Sequence, residues 1–362
     1  MQNASRRHRG WSLAVVAAAT TLLAACGSSS SSTSSSAEAP SEAPASSAAA
    51  ASPSPSESPS AEPLTIGYIQ TGPFDYYVRG VDGANAAAPL LGATISVFNS
   101  DGKPEKEIAN VEDAISQGVD GLIVFSVGRA SLEADLAKAK EAGIPVAVLY
   151  GHDAAIEEDG LVFIQAPVTV TGQQAGDWVA ANVAEGEVAI IQGALGRGDA
   201  EAYTDSFTAA LAANPKLTVV ATPEASWDRA KAQSAMADVL TANPDLAAVF
   251  VQNEDMALGA VAAIKAAGKE DQVTVVSQNG SPDGIAAIES GEIAATVAWS
   301  PAQEAQMALV RLVDYLRDGT VPDPRLCNTP TVLVTTDNLT DAQPWVPTEE
   351  STAFALQAPC GS

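Results

Sequence analysis

From Leu64 onward, short apolar runs rich in Val and Ile alternate with Ala-rich stretches in which apolar side chains recur every three to four positions. The short runs predict strands at 64–70, 94–98, 121–125, 145–149 and 161–164. A second series follows at 187–192, 217–221, 247–251, 273–277 and 294–298, with a last strand at 331–334. Helical periods fill the gaps, for example 75–91, 105–117, 132–142, 168–183, 228–241 and 301–318. Strand runs with few polar breaks, joined by helices, predict parallel sheets covered on both faces. The fold class is therefore α/β, with two doubly wound parallel-sheet lobes. The chain is expected to cross between them near 166–169, 299–302 and 326–331, which makes a three-crossing hinge. Lobe 1 would hold 64–167 and 301–327, lobe 2 would hold 168–300 and 328–345, and 346–362 would be a C-terminal tail. Open α/β sheets bind ligands at the carboxyl ends of their strands, so two facing lobes aim those ends into one cleft.

The first residues carry Arg6, Arg7 and Arg9 and no acid, and 11–25 is an uncharged, mostly apolar run. That run is short for a membrane span of about 20 residues and has the layout of a secretory signal. Its end, Leu23-Ala24-Ala25-Cys26-Gly27, resembles the lipobox of bacterial lipoproteins. The resemblance implies lipid on Cys26 and a place on the outer face of the cell membrane. Residues 27–62 are almost all Ser, Ala, Pro, Glu and Gly. Such a stretch buries too little apolar surface to offset the entropy of ordering, so 26–63 is expected to be a disordered linker.

The chain has 44 acids against 18 bases, a net charge of −26. That argues against nucleic acid and against adhesion to anionic lipid. Apart from Cys26 the cysteines are Cys327 and Cys360, and an exported domain with two cysteines is expected to pair them. The alternative, a catalytic thiol, has only His152 to serve it in the exported part.

One junction poses a sharper question. The apolar run Ala248-Val249-Phe250-Val251 stops at Gln252-Asn253-Glu254-Asp255, and a helical pattern starts at Met256. Four polar residues there are either a helix cap or a ligand site. Elsewhere, Gly193-Ala194-Leu195-Gly196-Arg197-Gly198 sits between a strand and a helix, but its glycine order is not that of a dinucleotide cradle. Arg197-Gly198-Asp199 is read as an adhesion tripeptide by chance. Metal and hydrolase motifs have no counterpart, so no cofactor, no metal and no enzyme activity are expected.

Several stretches carry a resemblance: Ile108-Ala109-Asn110-Val111-Glu112-Asp113-Ala114-Ile115, Gly118-Val119-Asp120-Gly121, Ala142-Gly143-Ile144-Pro145-Val146, Leu240-Thr241-Ala242-Asn243-Pro244-Asp245, the run 252–260, and Gly280-Ser281-Pro282-Asp283-Gly284. In this order they resemble the sugar-binding branch of the type I periplasmic binding proteins, of which ribose-binding proteins are an example. The resemblance runs from about Leu64 to Asn338. It implies a monomeric receptor that closes over a small molecule and hands it to an ABC importer. A sensor role with the same clamp, or a non-sugar cargo such as a nucleoside, is the alternative.

The resemblance also assigns residues. It implies that Asn253 hydrogen-bonds the ligand; Glu254 and Asp255 are expected to cap the following helix, because acids favour a helix N-terminus. It makes Tyr76, Tyr77 and Trp227 the rings that stack on the ligand, with Gln70 and Phe74 beside them. Other positions depart from the ribose pattern. Tyr150-Gly151 replaces an Asp-Arg pair, and His152 follows at the cleft edge. Glu201 and Tyr203 stand where an arginine is expected, Asn279 replaces an aspartate, and Trp299 replaces a hinge glutamine. A site with less charge and more rings is expected, suited to a neutral hydroxylated ligand larger or flatter than ribose.

Overall fold

The computed structural model describes residues 63–360 apart from Asp153. The segment expected to be a secretory signal, Cys26 and almost all of the expected linker lie outside the described residues. The first βα series is β1 (Leu64–Gln70), α1 (Asp75–Ala87), β2 (Ala93–Asn99), α2 (Pro104–Ser116), β3 (Gly121–Phe125), α3 (Arg129–Ala142), β4 (Val146–Leu149) and β5 (Val162–Gln165). The second is α4 (Val168–Asn182), β6 (Gly186–Ile191), α5 (Asp199–Leu211), β7 (Leu217–Ala221), α6 (Arg229–Ala242), β8 (Leu246–Val251), α7 (Glu254–Ala266), β9 (Thr274–Asn279), α8 (Pro282–Glu289) and β10 (Ala295–Ala298). Then come α9 (Pro301–Asp318), β11 (Leu326–Asn328), β12 (Val332–Val334) and α10 (Glu349–Gln357).

The strands form two six-stranded sheets, ordered β2-β1-β3-β4-β5-β11 and β7-β6-β8-β9-β10-β12. Every pairing is parallel except that of β12 with β10. The central strands are buried along their whole length, as in Gly-Leu-Ile-Val-Phe of β3 and Val-Ala-Val-Leu of β4. Helices on both faces require that pattern. The two-lobed parallel architecture read from the sequence is therefore the observed one.

The chain changes sheet after β5, after β10 and between β11 and β12. Ala175 and Val179 of α4 pack with Ile190 and Phe207 of the second lobe. Ala305, Leu309 and Leu312 of α9 pack with Ile66, Ile123 and Leu149 of the first. A fourth passage, beyond the three expected crossings, follows β12. The chain returns to the first lobe, where Ala355 and Ala358 join the core, and Cys360 is bonded to Cys327 of β11. The tail is thus a strap ending in α10, whose first turn carries a reciprocal Thr348–Ser351 capping box. The predicted helix 75–91 stops at Ala87, because Pro89 forces a 3₁₀ turn over Ala88–Leu91.

Candidate ligand-binding site

Carboxyl ends of strands from both sheets converge on a cavity of about 460 Å³. The first lobe contributes Phe74, Tyr76 and Tyr77 from the start of α1, Phe125 from the end of β3, and Tyr150 after β4. The second lobe contributes Arg197 and Asp199 after β6, Trp227 after β7, Gln252 to Asp255 after β8, Gln278 and Asn279 from β9, and Trp299 after β10.

Aromatic rings make one wall and hold each other in place. Tyr76 is the hub. Its hydroxyl accepts from the Trp299 indole N–H at 2.7 Å, donates to Glu304 Oε2 at 2.6 Å and meets the Tyr150 hydroxyl at 3.1 Å. Phe125 and Tyr150 stack at 5.4 Å between centroids, 13° from parallel. Tyr150 has φ of +64° and Gly151 +80°, so the chain turns sharply where the fourth strand ends. Burial pushes the Glu304 carboxyl up to about 8, despite hydrogen bonds from Tyr76 and Tyr150 that favour the ion. Burial likewise raises the phenols of Tyr76, Tyr150 and Tyr203, so all three stay neutral.

Amides make the facing wall. The Asn253 side-chain oxygen accepts from Met256 N–H at 2.7 Å, so Asn253 is itself the N-cap of α7 and keeps its two amide hydrogens for another partner. Gln252 is fully committed to the fold, accepting from Gly193 N–H and donating to Ala200 O and Thr204 Oγ1. Gln278 Nε2 donates to Gln252 O, while Gln278 Oε1 and Asn279 Oδ1 are buried with no hydrogen-bond partner. Glu254 accepts from Gly280 N–H, Ser281 N–H and Thr296 Oγ1 at 2.6–2.9 Å. It therefore fixes the turn just after Asn279. Burial raises its carboxyl to about 7. Trp227 has φ of +63° and lies over Gly193, where a Cβ would fall 2.1 Å from the indole.

Arg197 bridges the lobes. Its side chain is 10% exposed and pairs twice with Asp199, at 3.0 Å through Nε and 2.6 Å through Nη2. Nη1 donates to Ser126 O of the other lobe at 3.2 Å, and the guanidinium lies 5.4 Å and 5.7 Å from the Phe125 and Tyr150 ring centroids. Asp199 outweighs burial and keeps Arg197 charged.

These contacts correct part of the sequence reading. Gln70 does not line the cavity; its side chain turns back to donate to Gly72 O at 2.5 Å. His152 is also outside it, with its ring edge on Phe163 at 5.2 Å. Glu201 accepts from Gly196 N–H and so shapes the loop before α5 rather than the cavity. Glu254 is a buried strut and not a cap, and Asn253 takes the capping role. The expected loss of charge is incomplete, because Arg197 and Asp199 supply an ion pair from the tripeptide read as chance. Tyr203, Asn279 and Trp299 line the cavity. Trp345 was missed. It is 6% exposed, lines the cavity, and meets Tyr76 edge-on at 5.3 Å. Its place in the chain, after the last predicted strand and beside Pro344, carried no signal of a site.

The periplasmic binding protein domain family matches residues 69–320. This protein belongs to that family. It is a family of binding proteins and not of enzymes. The chain is 38% identical to the ribose import binding protein RbsB of Salmonella typhimurium over 229 residues, covering 63% of this chain and 76% of the relative. A structure from Mycobacterium smegmatis in complex with β-D-fucofuranose aligns with a TM-score of 0.73 and 26% identity, over 82% of this chain and 98% of that one. The binding protein of the Shewanella sp. ANA-3 arabinose ABC transporter, bound to α- and β-L-arabinofuranose, aligns at 0.70 and 28%, over 77% and 94%. Among the described residues, no helix is long and apolar enough to cross a membrane, and no group of three or more His, Cys, Asp and Glu side chains could hold a metal.

Proposed function

We propose that this protein captures a neutral monosaccharide or polyol between its lobes and delivers it to an ABC importer. It does so as a monomer outside the cytoplasm, tethered to the membrane by lipid on Cys26. The observation that carries the reading is the pair of buried, unpartnered amide oxygens, Gln278 Oε1 and Asn279 Oδ1, in a cavity whose first-lobe wall is built of rings. A buried acceptor without a donor is costly, and ligand hydroxyl groups are the donors that would satisfy it. Aromatic faces suit the apolar C–H side of a sugar ring. The cavity is also close to electroneutral. Arg197 cancels Asp199, and Glu304 and the tyrosines are largely protonated at neutral pH. Arg79 and Arg229 also line the cavity and are likewise paired, with Asp75 and Asp255, so each of these cations is already neutralised before an anionic cargo arrives. Arg197 spends N–H donors on Asp199, Ser126 O and Tyr77, which leaves at most one of its five for a ligand hydroxyl.

The test is a calorimetric and thermal-shift panel of D-ribose, L-arabinose, D-galactose, D-fucose, myo-inositol and nucleosides. A cargo at 100 times its dissociation constant adds about 2.7 kcal/mol of stability. Asn253→Asp sharpens it, because Asp keeps the N-cap and loses the amide donors. The variant should melt close to the wild type and bind its sugar about tenfold more weakly. A response to nucleosides alone would refute the carbohydrate assignment and leave the family assignment standing.

A further inference from the structure

The family match ends at residue 320, yet the cavity takes a wall from Trp345. The chain reaches that place on a strap. β12 pairs with β10 in the second lobe, and the next residues run past the hinge. Pro344 O accepts from Ser300 Oγ at 2.6 Å, and Gln343 Oε1 accepts from Gln303 Nε2 at 3.1 Å. Beyond Trp345, α10 lies on α9, where Gln306 Nε2 donates to Thr352 Oγ1 at 2.8 Å. Arg311 holds Ala358 O, and the Cys327–Cys360 disulfide closes the end on the first lobe. The strap is anchored on both sides of Trp345, so the indole's position is set by the fold.

That position touches both halves of the site. The Trp345 indole N–H donates to Asn279 O and Trp299 O, each at 3.1 Å. These carbonyls belong to two of the strand ends, those of β9 and β10, that present cavity residues from the second lobe. The ring's edge-on partner, Tyr76, belongs to the first. Asn279 sits at φ +117°, a conformation an Asn does not keep unaided. Glu254 grips the N–H groups after it, and Trp345 grips its carbonyl. The unpartnered Asn279 oxygen is aimed by this two-sided hold.

We propose that the C-terminal strap is part of the recognition machinery, and that Trp345 is a specificity-determining residue. Its ring limits the size of sugar the cavity accepts, and its N–H aims Asn279 at the ligand. The proposal rests on the binding reading above. It places ligand choice in a segment beyond the matched domain.

The experiment uses the full-length protein with Trp345→Ala and Trp345→Phe. Trp345→Phe keeps a ring and removes the N–H, and its circular dichroism checks the fold. Calorimetry with L-arabinose, D-galactose and D-fucose reads affinity and rank. Hydrogen exchange at residues 279–281 and 299, without sugar, reads the clamp. The expected result is at least about tenfold weaker binding and a changed rank order in Trp345→Ala. Trp345→Phe should lose less, and both should exchange faster at 279–281. Wild-type affinities and rank in both variants would overturn the proposal. If the wild type binds none of these three and none of the other sugars and polyols of the panel above, the binding reading fails by itself. Exchange then still decides the clamp: faster exchange in both variants supports it, and unchanged exchange overturns it.

Discussion

Glu304 is the clearest case of one residue whose protonation is set by where the fold puts it. It is 1% exposed, and burial lifts its carboxyl from 4.5 to about 8. Between those two values the folded protein holds a proton that the unfolded chain has lost. Stability must therefore fall as pH rises from about 4.5 to about 8, and level off above. Glu304→Gln keeps the shape and an oxygen for Tyr76, and cannot ionise. Its stability should depend less on pH over that interval, with its largest gain over the wild type near pH 8. Glu254, raised to about 7, has the same sign and remains in the variant, so part of the slope persists. Urea midpoints of the two proteins from pH 5 to pH 8.5 check this; parallel curves would refute it.

At the scale of elements, the second lobe depends on how closely α4 approaches α5. Gly172 and Gly176 lie one turn apart on α4 and face α5. A Cβ at Gly172 would fall 2.1 Å from Ser206 Oγ and 2.6 Å from Tyr203 O, and one at Gly176 2.6 Å from Phe207 O. Ala is the better helix former by about 1 kcal/mol, but here it meets backbone that must move. Gly172→Ala should lower stability by about 1–3 kcal/mol, as overpacking does, and shift Tyr203 in the cavity. Denaturant midpoints together with sugar affinity test it, and a stabilised variant with unchanged affinity would sink the argument. The same scale explains what was legible in the sequence. Strands buried on both faces announce themselves as unbroken apolar runs, so β3, β4, β5, β8 and β10 were readable, while the half-exposed edge strands β2 and β7 showed through their Val and Ile content. β11 has three residues, too few to show a period, and α10 is held by its capping box and the strap rather than by an apolar stripe. The site was readable where a residue's strand end sufficed, as for Asn279 and Trp299. It was not readable where the side chain's direction decides. Gln70 and His152 point elsewhere, and Arg197 and Trp345 reach the cavity only because of folds in the chain that no local pattern encodes.

At the scale of the whole molecule, the lobes communicate through Arg197. It is rooted in the second lobe by Asp199 and reaches Ser126 O and the Phe125–Tyr150 stack in the first. A contact present only when the lobes meet favours the closed state. If ligand binds that state, apparent affinity scales with the fraction closed. Removing Arg197 alone would leave the Asp199 carboxylate buried and unpaired, at a cost of about 3–5 kcal/mol that would obscure the effect. Replacing both partners, as Arg197→Met with Asp199→Asn, removes the bridge without stranding a charge. The double variant should melt near the wild type, since swapping a buried pair for neutral groups is close to stability-neutral. In sugar-free solution its X-ray scattering should give a larger radius of gyration than the wild type. Saturating sugar should bring the two curves together, and the variant should need more sugar to get there. If scattering without sugar is the same for both proteins, Arg197 does not hold the lobes together, and its place in the cavity must be explained by ligand contact alone.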